Sequence, residues 1–240
     1  MSPRRGAAAG GDDVRHGEPE RVRAGIRIVP AAPWHAPHLE ALQVTCFPTL
    51  GAQELMRAEH FLRHLTVFPE ADLVAEAAVA PDGTPLAEAR VVGLGSGFFV
   101  DFDFDHPGHT FREMIDGGWF GRHDPAGAWY YGADLSVHPA YRGLGLARRL
   151  YDARKALVRR HRKRGIVAGG ALPGYAGHRQ AMSVETYVAR VVARELFDPT
   201  LTVQLRNGFA VEGLLRGYME DSAADDCATL IVWRDPDFAG

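Results

Sequence analysis

Apolar positions recur along the chain with two periods, near 3.6 and near 2, and their succession predicts a mixed order of helices and strands. Ile26–Val29 reads as a first short strand ended by Pro30. Residues 33–46 and 51–65 read as two helices. Leu39, Leu42 and Cys46, then Leu55, Phe61, Leu62 and Leu65, fall at helical spacing, with Pro48 and Gly51 between them. Asp72–Ala80 reads as a strand that stops at the turn Pro81-Asp-Gly83-Thr-Pro85. Ala89–Phe104 reads as a long strand broken or bulged by Gly93, Gly95 and Gly97. Its end alternates, with Phe98, Val100, Phe102 and Phe104 on one face and Phe99, Asp101, Asp103 and Asp105 on the other.

A glycine-rich connection over residues 107–127, with a short helix near Phe111–Ile115, leads to Trp129–Val137, the most strand-like run of the middle. A helix from about Leu144 to Arg164 buries Leu146, Leu150, Leu157 and Val158, and Gly165 closes it. Ile166–Leu172 is a strand and Ser183–Leu196 a helix. Asp198 N-caps a short helix that has Pro199 at its first position and ends at Asn207-Gly208. Ala210–Met219 and Cys227–Trp233 complete an antiparallel pair. The order βααββ(α)βαβααββ is a mixed α/β (α+β) sheet in one domain from residue 25 to 240. Residues 1 to about 24 carry almost no large apolar side chain and are expected to be a mobile tail.

Composition narrows the partners. Hydrophobic content of 46% supplies a core, and 27 Lys+Arg against 30 Asp+Glu leave a formal charge of −3. Such a balance offers no basis for nucleic-acid or membrane binding. Lys155 and Lys163 are the only lysines, and the arginine, alanine and glycine excess fits a GC-rich bacterial genome. No apolar run reaches the ~20 residues of a membrane span, and the start has Arg4 and Arg5 but no apolar segment. A cytoplasmic protein with two reduced thiols, Cys46 and Cys227, is expected. No metal site is expected: histidines pair with no carboxylate at zinc spacing, and Asp101-x-Asp103-x-Asp105 is followed by His106 and Arg112 where a calcium loop needs Gly and Glu. The acidic row faces solvent or lines an acceptor cleft. The basic run Arg159–Arg164 reads as a solvated helix end, with contact to a cofactor phosphate or to nucleic acid as the alternatives.

The chemistry concentrates in Ala133-Asp-Leu-Ser-Val-His-Pro-Ala-Tyr-Arg-Gly-Leu-Gly-Leu-Ala147. A strand ends, a glycine turn follows and a helix begins, so unpaired N–H groups and the helix dipole make an anion site. A dinucleotide Gly-x-Gly-x-x-Gly fails, because Arg148 stands at the third glycine, and no P-loop is present. Arg142-x-x-Gly145-x-Ala147 resembles motif A of the GNAT acetyltransferase superfamily. Leu135-x-Val137-x-Pro139 ahead of it and Asn207-Gly208-Phe209 after the short helix strengthen the likeness, which covers residues 26–233. Within the family, Leu172-Pro-Gly-Tyr175 through Phe209 resembles acetyltransferase domains fused to nitrilase-type amidohydrolases in some bacteria.

The resemblance implies the GNAT fold: a mixed central sheet of about seven strands flanked by helices, with a helical insert between strand 5 and the final helix. It implies acetyl-CoA as cosubstrate and transfer of the acetyl group to a primary amine by direct attack in a ternary complex. The pantetheine arm would lie on backbone groups of Leu135, Ser136 and Val137, and the pyrophosphate over Arg142, Gly143, Leu144, Gly145, Leu146, Ala147 and Arg148. Many relatives have a tyrosine acid where this chain has Gln204. Tyr131, Tyr175, Tyr187 and Tyr218 are the replacements to weigh, and none is singled out by spacing. Tyr131 and Asp134 are the candidate catalytic residues, Asp134 as base or in a structural or acceptor-orienting role, with water-mediated deprotonation as the alternative. Strand alternation places Asp134 on the face opposite Tyr131. The acceptor is a small-molecule amine or a protein amine, the insert of residues 176–196 favouring a closed pocket for the former. A non-catalytic acyl-CoA sensor is the alternative function, and a homodimer through the last two strands is compatible with the pattern.

Overall fold

The computed structural model describes residues 20–239. The expected mobile tail lies mostly outside the described residues, but its end does not behave as one. Residues 20–24 form a helical turn whose Val22 is buried against Ile26, Ala75, Ala77 and Leu146. Seven strands form one sheet in the order β1-β2-β3-β4-β5-β7-β6. They are β1 Ile26–Pro30, β2 Asp72–Val79, β3 Pro85–Val100, β4 Trp129–Val137, β5 Gly165–Gly170, β6 Ala210–Leu215 and β7 Ala228–Arg234. All neighbours are antiparallel except β4 and β5.

The helices are α1 Ala36–Cys46, α2 Ala58–Val67, α3 Phe111–Met114, α4 Leu146–Arg160, α5 Val184–Val192 and α6 Leu201–Arg206. The second predicted helix begins later than its periodicity suggests: residues 52–54 are a separate 3₁₀ turn, and the chain straightens at Leu55 before α2. β3 is not broken by its three glycines but is bulged against β2 at Val92, beside Gly93, and it ends at Val100, so the predicted strand stops four residues early. Asp103 lies beyond it and accepts the backbone N–H groups of Asp105 and His106, and Asp101 accepts that of Ala128. The acidic row therefore serves turns.

The glycines of β3 have a packing reason. A Cβ at Gly93 would lie 3.3 Å from Leu150, one at Gly95 3.1 Å from Arg154 Nε, and one at Gly97 2.3 Å from the Tyr131 carbonyl. Their face is where α4 lies close on the sheet. Leu94, Ser96 and Phe98 point to the other face, covered by α1 and α2.

Register then changes the geometry of β4. Ser96 pairs with Asp134 but Gly97 pairs with Gly132, so Ala133 is an extra residue in β4, a bulge. The bulge cancels one step of alternation. Tyr131 (opposite Phe98) and Asp134 (opposite Ser96) thus share the α1 face, contrary to the opposite faces that simple alternation predicts. Beyond the bulge β4 parts from β5: only Tyr130–Ile166 and Tyr131–Val167 are paired, although both strands run further. A fork opens between residues 133–137 and residues 168–170.

Asp198 anchors the far side of the fork. Its carboxylate, fully buried, accepts the N–H groups of Thr200 and Leu201 through Oδ1, and that of Gly174 and the Tyr187 hydroxyl through Oδ2. One side chain thereby joins the turn after β5, helix α5 and the start of α6, the cap that Asp198-Pro199 predicts.

Candidate active site

The fork and the turn after it form one continuous surface. The His138 N–H donates to Val92 O, which fixes the ladder phase between β4 and β3. Alternation then turns the N–H and C=O of Leu135 and Val137 away from β3 into the fork, while those of Asp134 and Ser136 face β3. Leu135 and Val137 thus offer free backbone groups to the fork. Ser136 does not: its backbone belongs to the ladder, and its hydroxyl donates to Asp134 Oδ1 at 2.6 Å on the α1 face.

Past Val137 the chain makes a 3₁₀ turn at Pro139–Tyr141, and Arg142 Nε donates back to the Val137 carbonyl at 3.2 Å. Gly143 and Gly145 both hold φ of +77°, the left-handed region, with nothing within 4 Å of where a Cβ would project. Two left-handed residues curl the turn so that its amides face outward. Among the described residues no protein group accepts from the N–H of Gly143, Leu144, Gly145, Leu146, Ala147 or Arg148. The first turn of α4 has no acidic side chain, and Arg148 is 81% exposed with only Asp152 at 3.8 Å. Six free amides, a helix dipole and an exposed arginine at the mouth of a strand fork make a surface chemically suited to an anionic group.

Residues 42–171 match the sequence profile of the Acetyltransferase (GNAT) family. The chain belongs to the GNAT family. It is 34% identical over 198 residues to the probable hydrolase YhcX of Bacillus subtilis, covering 82% of this chain and 36% of that protein. The chain thus spans about a third of that relative. It is 31% identical over 198 residues to the uncharacterized N-acetyltransferase YkwB of the same organism, covering 82% of this chain and 83% of that protein. Among solved structures, the GphF GNAT-like decarboxylase in complex with isobutyryl-CoA superposes with a TM-score of 0.68 at 25% identity, covering 87% of this chain and 98% of that one.

This GNAT chain has Gln204 on the α4 side of β5. Gln204 is buried; a Cβ at Gly170 would sit 2.6 Å from its Oε1, which takes no donor among the described residues. Of the four candidate tyrosines, two are occupied structurally: Tyr175 donates to Met182 O, and Tyr187 to Asp198. The other two meet. The Tyr131 and Tyr218 hydroxyls lie 2.6 Å apart, and Tyr131 is 2.9 Å from His109 Nε2. Burial holds both phenols well above their ordinary range, so both stay protonated. His109 is the residue that sequence reasoning missed. It reads as a surface group in a Pro-rich connection, and no local pattern links it to β4, 22 positions away.

Asp134 occupies a closed hydrogen-bond set. Oδ2 accepts from Gln43 Nε2 at 2.5 Å and Oδ1 from Ser136, while Gln43 Oε1 accepts from the Met56 N–H. Burial raises its carboxyl above the usual range. The arrangement ties α1 to the strand just after the bulge. On the opposite face Arg154, buried, donates through Nη2 to Ser96 O at 2.5 Å, pinning the same bulge from α4.

The basic run at the end of α4 is engaged elsewhere. Arg159 pairs with Asp235 and Asp237, Arg160 and His161 pair with Glu70, and Lys163 donates to Pro125 O. It also stands at the far end of a 15-residue helix from the amide-lined turn, roughly 22 Å away at 1.5 Å per residue. Among the described residues no group of three or more His, Cys, Asp or Glu side chains converges as a metal site, and no helix is long and apolar enough to cross a membrane.

Proposed function

We propose that this GNAT protein transfers an acetyl group from acetyl-CoA to the primary amine of a small molecule, by direct attack while both substrates are bound. The observation that carries the reading is the continuity of the β4–β5 fork with six unpartnered amides at residues 143–148. The pyrophosphate fits those amides and Arg148. The pantetheine arm fits the outward groups of Leu135 and Val137, with the orphaned Gln204 Oε1 available to one of its N–H groups. The thioester supplies the activated acetyl group, and the narrow end of the fork, at Tyr131, is where the transfer is assigned. Asp134 serves as a positioning residue there, because both of its oxygens are already engaged.

Calorimetric titration with acetyl-CoA, with ATP and NAD as controls, tests the site. A panel of small primary amines with thiol release as readout tests transfer. Binding confined to acetyl-CoA, followed by turnover on an amine, is expected. Binding without turnover on any amine would favour the acyl-CoA sensor, and no binding would remove the reading altogether.

The likeness to GphF favours a second reading, loss of carbon dioxide from a CoA thioester that carries a β-carboxylate. Carbon dioxide release from such a thioester without any amine present would select it.

A further inference from the structure

Tyr218, Tyr131 and His109 come from the segment after β6, from β4 and from the segment before α3, yet their polar tips form one line. The direction of every proton in it follows from one end. His109 Nδ1 is 2.7 Å from Pro107 O, which can only accept, so Nδ1 carries the hydrogen and Nε2 is the bare nitrogen. Tyr131 must therefore donate to His109, and Tyr218 must donate to Tyr131. The Tyr218 oxygen lies against the backbone of Gly169 in β5, where a built Cβ would nearly touch the hydroxyl; it takes a backbone hydrogen bond from Gly169 and keeps one further lone pair for an incoming donor. Gly169 borders the fork, and Tyr131 is the last residue at which β4 still pairs with β5. The inner end of the line is thus at the fork's apex, and the outer end, His109, is partly exposed.

We infer that Tyr218, Tyr131 and His109 are the proton relay of this site, with Tyr218 as the group that exchanges protons with the reacting atoms. This assignment rests on the acyltransferase reading above. As the amine nitrogen bonds to the thioester carbon, its proton passes to the Tyr218 oxygen while the Tyr218 proton moves to Tyr131 and the Tyr131 proton to His109 Nε2. When the carbon–sulfur bond breaks, the reverse shift delivers a proton from Tyr218 to the leaving sulfur. The balance is amine plus thioester to amide plus thiol, with the relay restored. Gln204, which carries no exchangeable acid, is then not required to act. Tyr131 and His109 act through Tyr218.

The imidazole has the properties this needs. Burial lowers its pKa below the ordinary value, with Pro107 O and Glu113 opposing and Arg122 reinforcing the effect; Tyr131, against Nε2, is neutral. Neutral at physiological pH, it has a vacant nitrogen for the arriving proton.

The test compares wild type with Tyr218→Phe, Tyr131→Phe and His109→Gln, all first assayed for acetyl-CoA binding by calorimetry. With the best amine of the panel, Tyr218→Phe is expected to lower kcat about 100-fold at unchanged KM for acetyl-CoA, the scale of a lost general acid–base. His109→Gln is expected to erase the acidic limb of the pH profile. Independently of turnover, nitrogen-15 NMR of His109 is expected to report the Nδ1–H tautomer, and its titration midpoint to move when acetyl-CoA binds to wild type but not to Tyr131→Phe. Variants that bind acetyl-CoA and keep wild-type kcat and pH profile would overturn the relay. So would a His109 signal indifferent to bound acetyl-CoA. Failure of wild type to bind acetyl-CoA would instead overturn the acyltransferase reading on which the relay rests.

Discussion

Gly145 offers the sharpest perturbation, because strain, bulk and charge can be separated at one backbone position. Its φ of +77° is left-handed and the space beyond it is open. An alanine there costs about 1–2 kcal/mol of conformational energy in the free and the bound protein alike. At about 2–4 °C per kcal/mol for a domain of this size, Gly145→Ala is expected to lower Tm by about 2–8 °C. Its acetyl-CoA affinity should fall little, since nothing clashes. Gly145→Gln adds bulk at the turn, and Gly145→Glu adds the same bulk with a negative charge. If that charge stands about 5 Å from one phosphate at an effective dielectric of 20–80, repulsion is roughly 1–3 kcal/mol, or roughly 5- to 150-fold in affinity relative to glutamine. Calorimetric titration of the three variants with acetyl-CoA at low and high salt reads both parts. The glutamate–glutamine difference should shrink as screening tightens from about 10 Å at 0.1 M to about 3 Å at 1 M salt. Equal affinity of Gly145→Glu and wild type would refute the placement of the phosphates over this turn, and an affinity gap insensitive to salt would refute the electrostatic part.

Other expectations follow from buried groups. His123 Nδ1 accepts the Phe99 N–H and His60 Nδ1 accepts the Arg57 N–H, so protonation breaks a backbone bond in each, and burial lowers both pKa values as it does for His109. The unfolded chain then binds more protons below about pH 6.5, so Tm should fall from pH 7 to pH 5, and His123→Gln should blunt the fall in scanning calorimetry. A Tm that rises on acidification would contradict the sign. Asp198→Ala leaves four donors without their acceptor, the Tyr187 hydroxyl and Leu201 N–H buried and the Gly174 and Thr200 N–H groups part-buried, and should cost about 3 kcal/mol or more in urea unfolding; a cost within about 0.5 kcal/mol would show that water replaces the carboxylate. The Cys46 thiol is pushed up to about 11 by burial and then by Asp134, so iodoacetamide at pH 8 should modify it slowly by mass spectrometry despite its partial exposure. Rapid alkylation would mean that α1 opens away from Asp134.

Much of this protein was legible in consecutive residues. Trp129–Val137 is the strand that its pattern predicts, to the residue. The left-handed turn at Gly143 and Gly145, the helix that follows and the cap at Asp198 depend on local backbone demands, which neighbouring residues express directly. The amide-lined turn proposed for the phosphates is made of main chain from one short segment, and for that reason a short motif is enough to point to it. What tertiary structure decided lies between segments. The bulge at Ala133 is a property of register against Ser96 and Gly97, visible in neither strand alone, and it places Tyr131 and Asp134 on one face and parts β4 from β5. Ion-pair partners at Glu70 and Asp235 likewise absorb a basic run that sequence leaves open. Tyr218 stands 87 positions from Tyr131, and no periodicity carries information across that distance. Only the folded sheet, which brings Gly169 beside one hydroxyl and His109 beside the other, distinguishes these two tyrosines from Tyr175 and Tyr187, whose hydroxyls the fold spends on holding itself together.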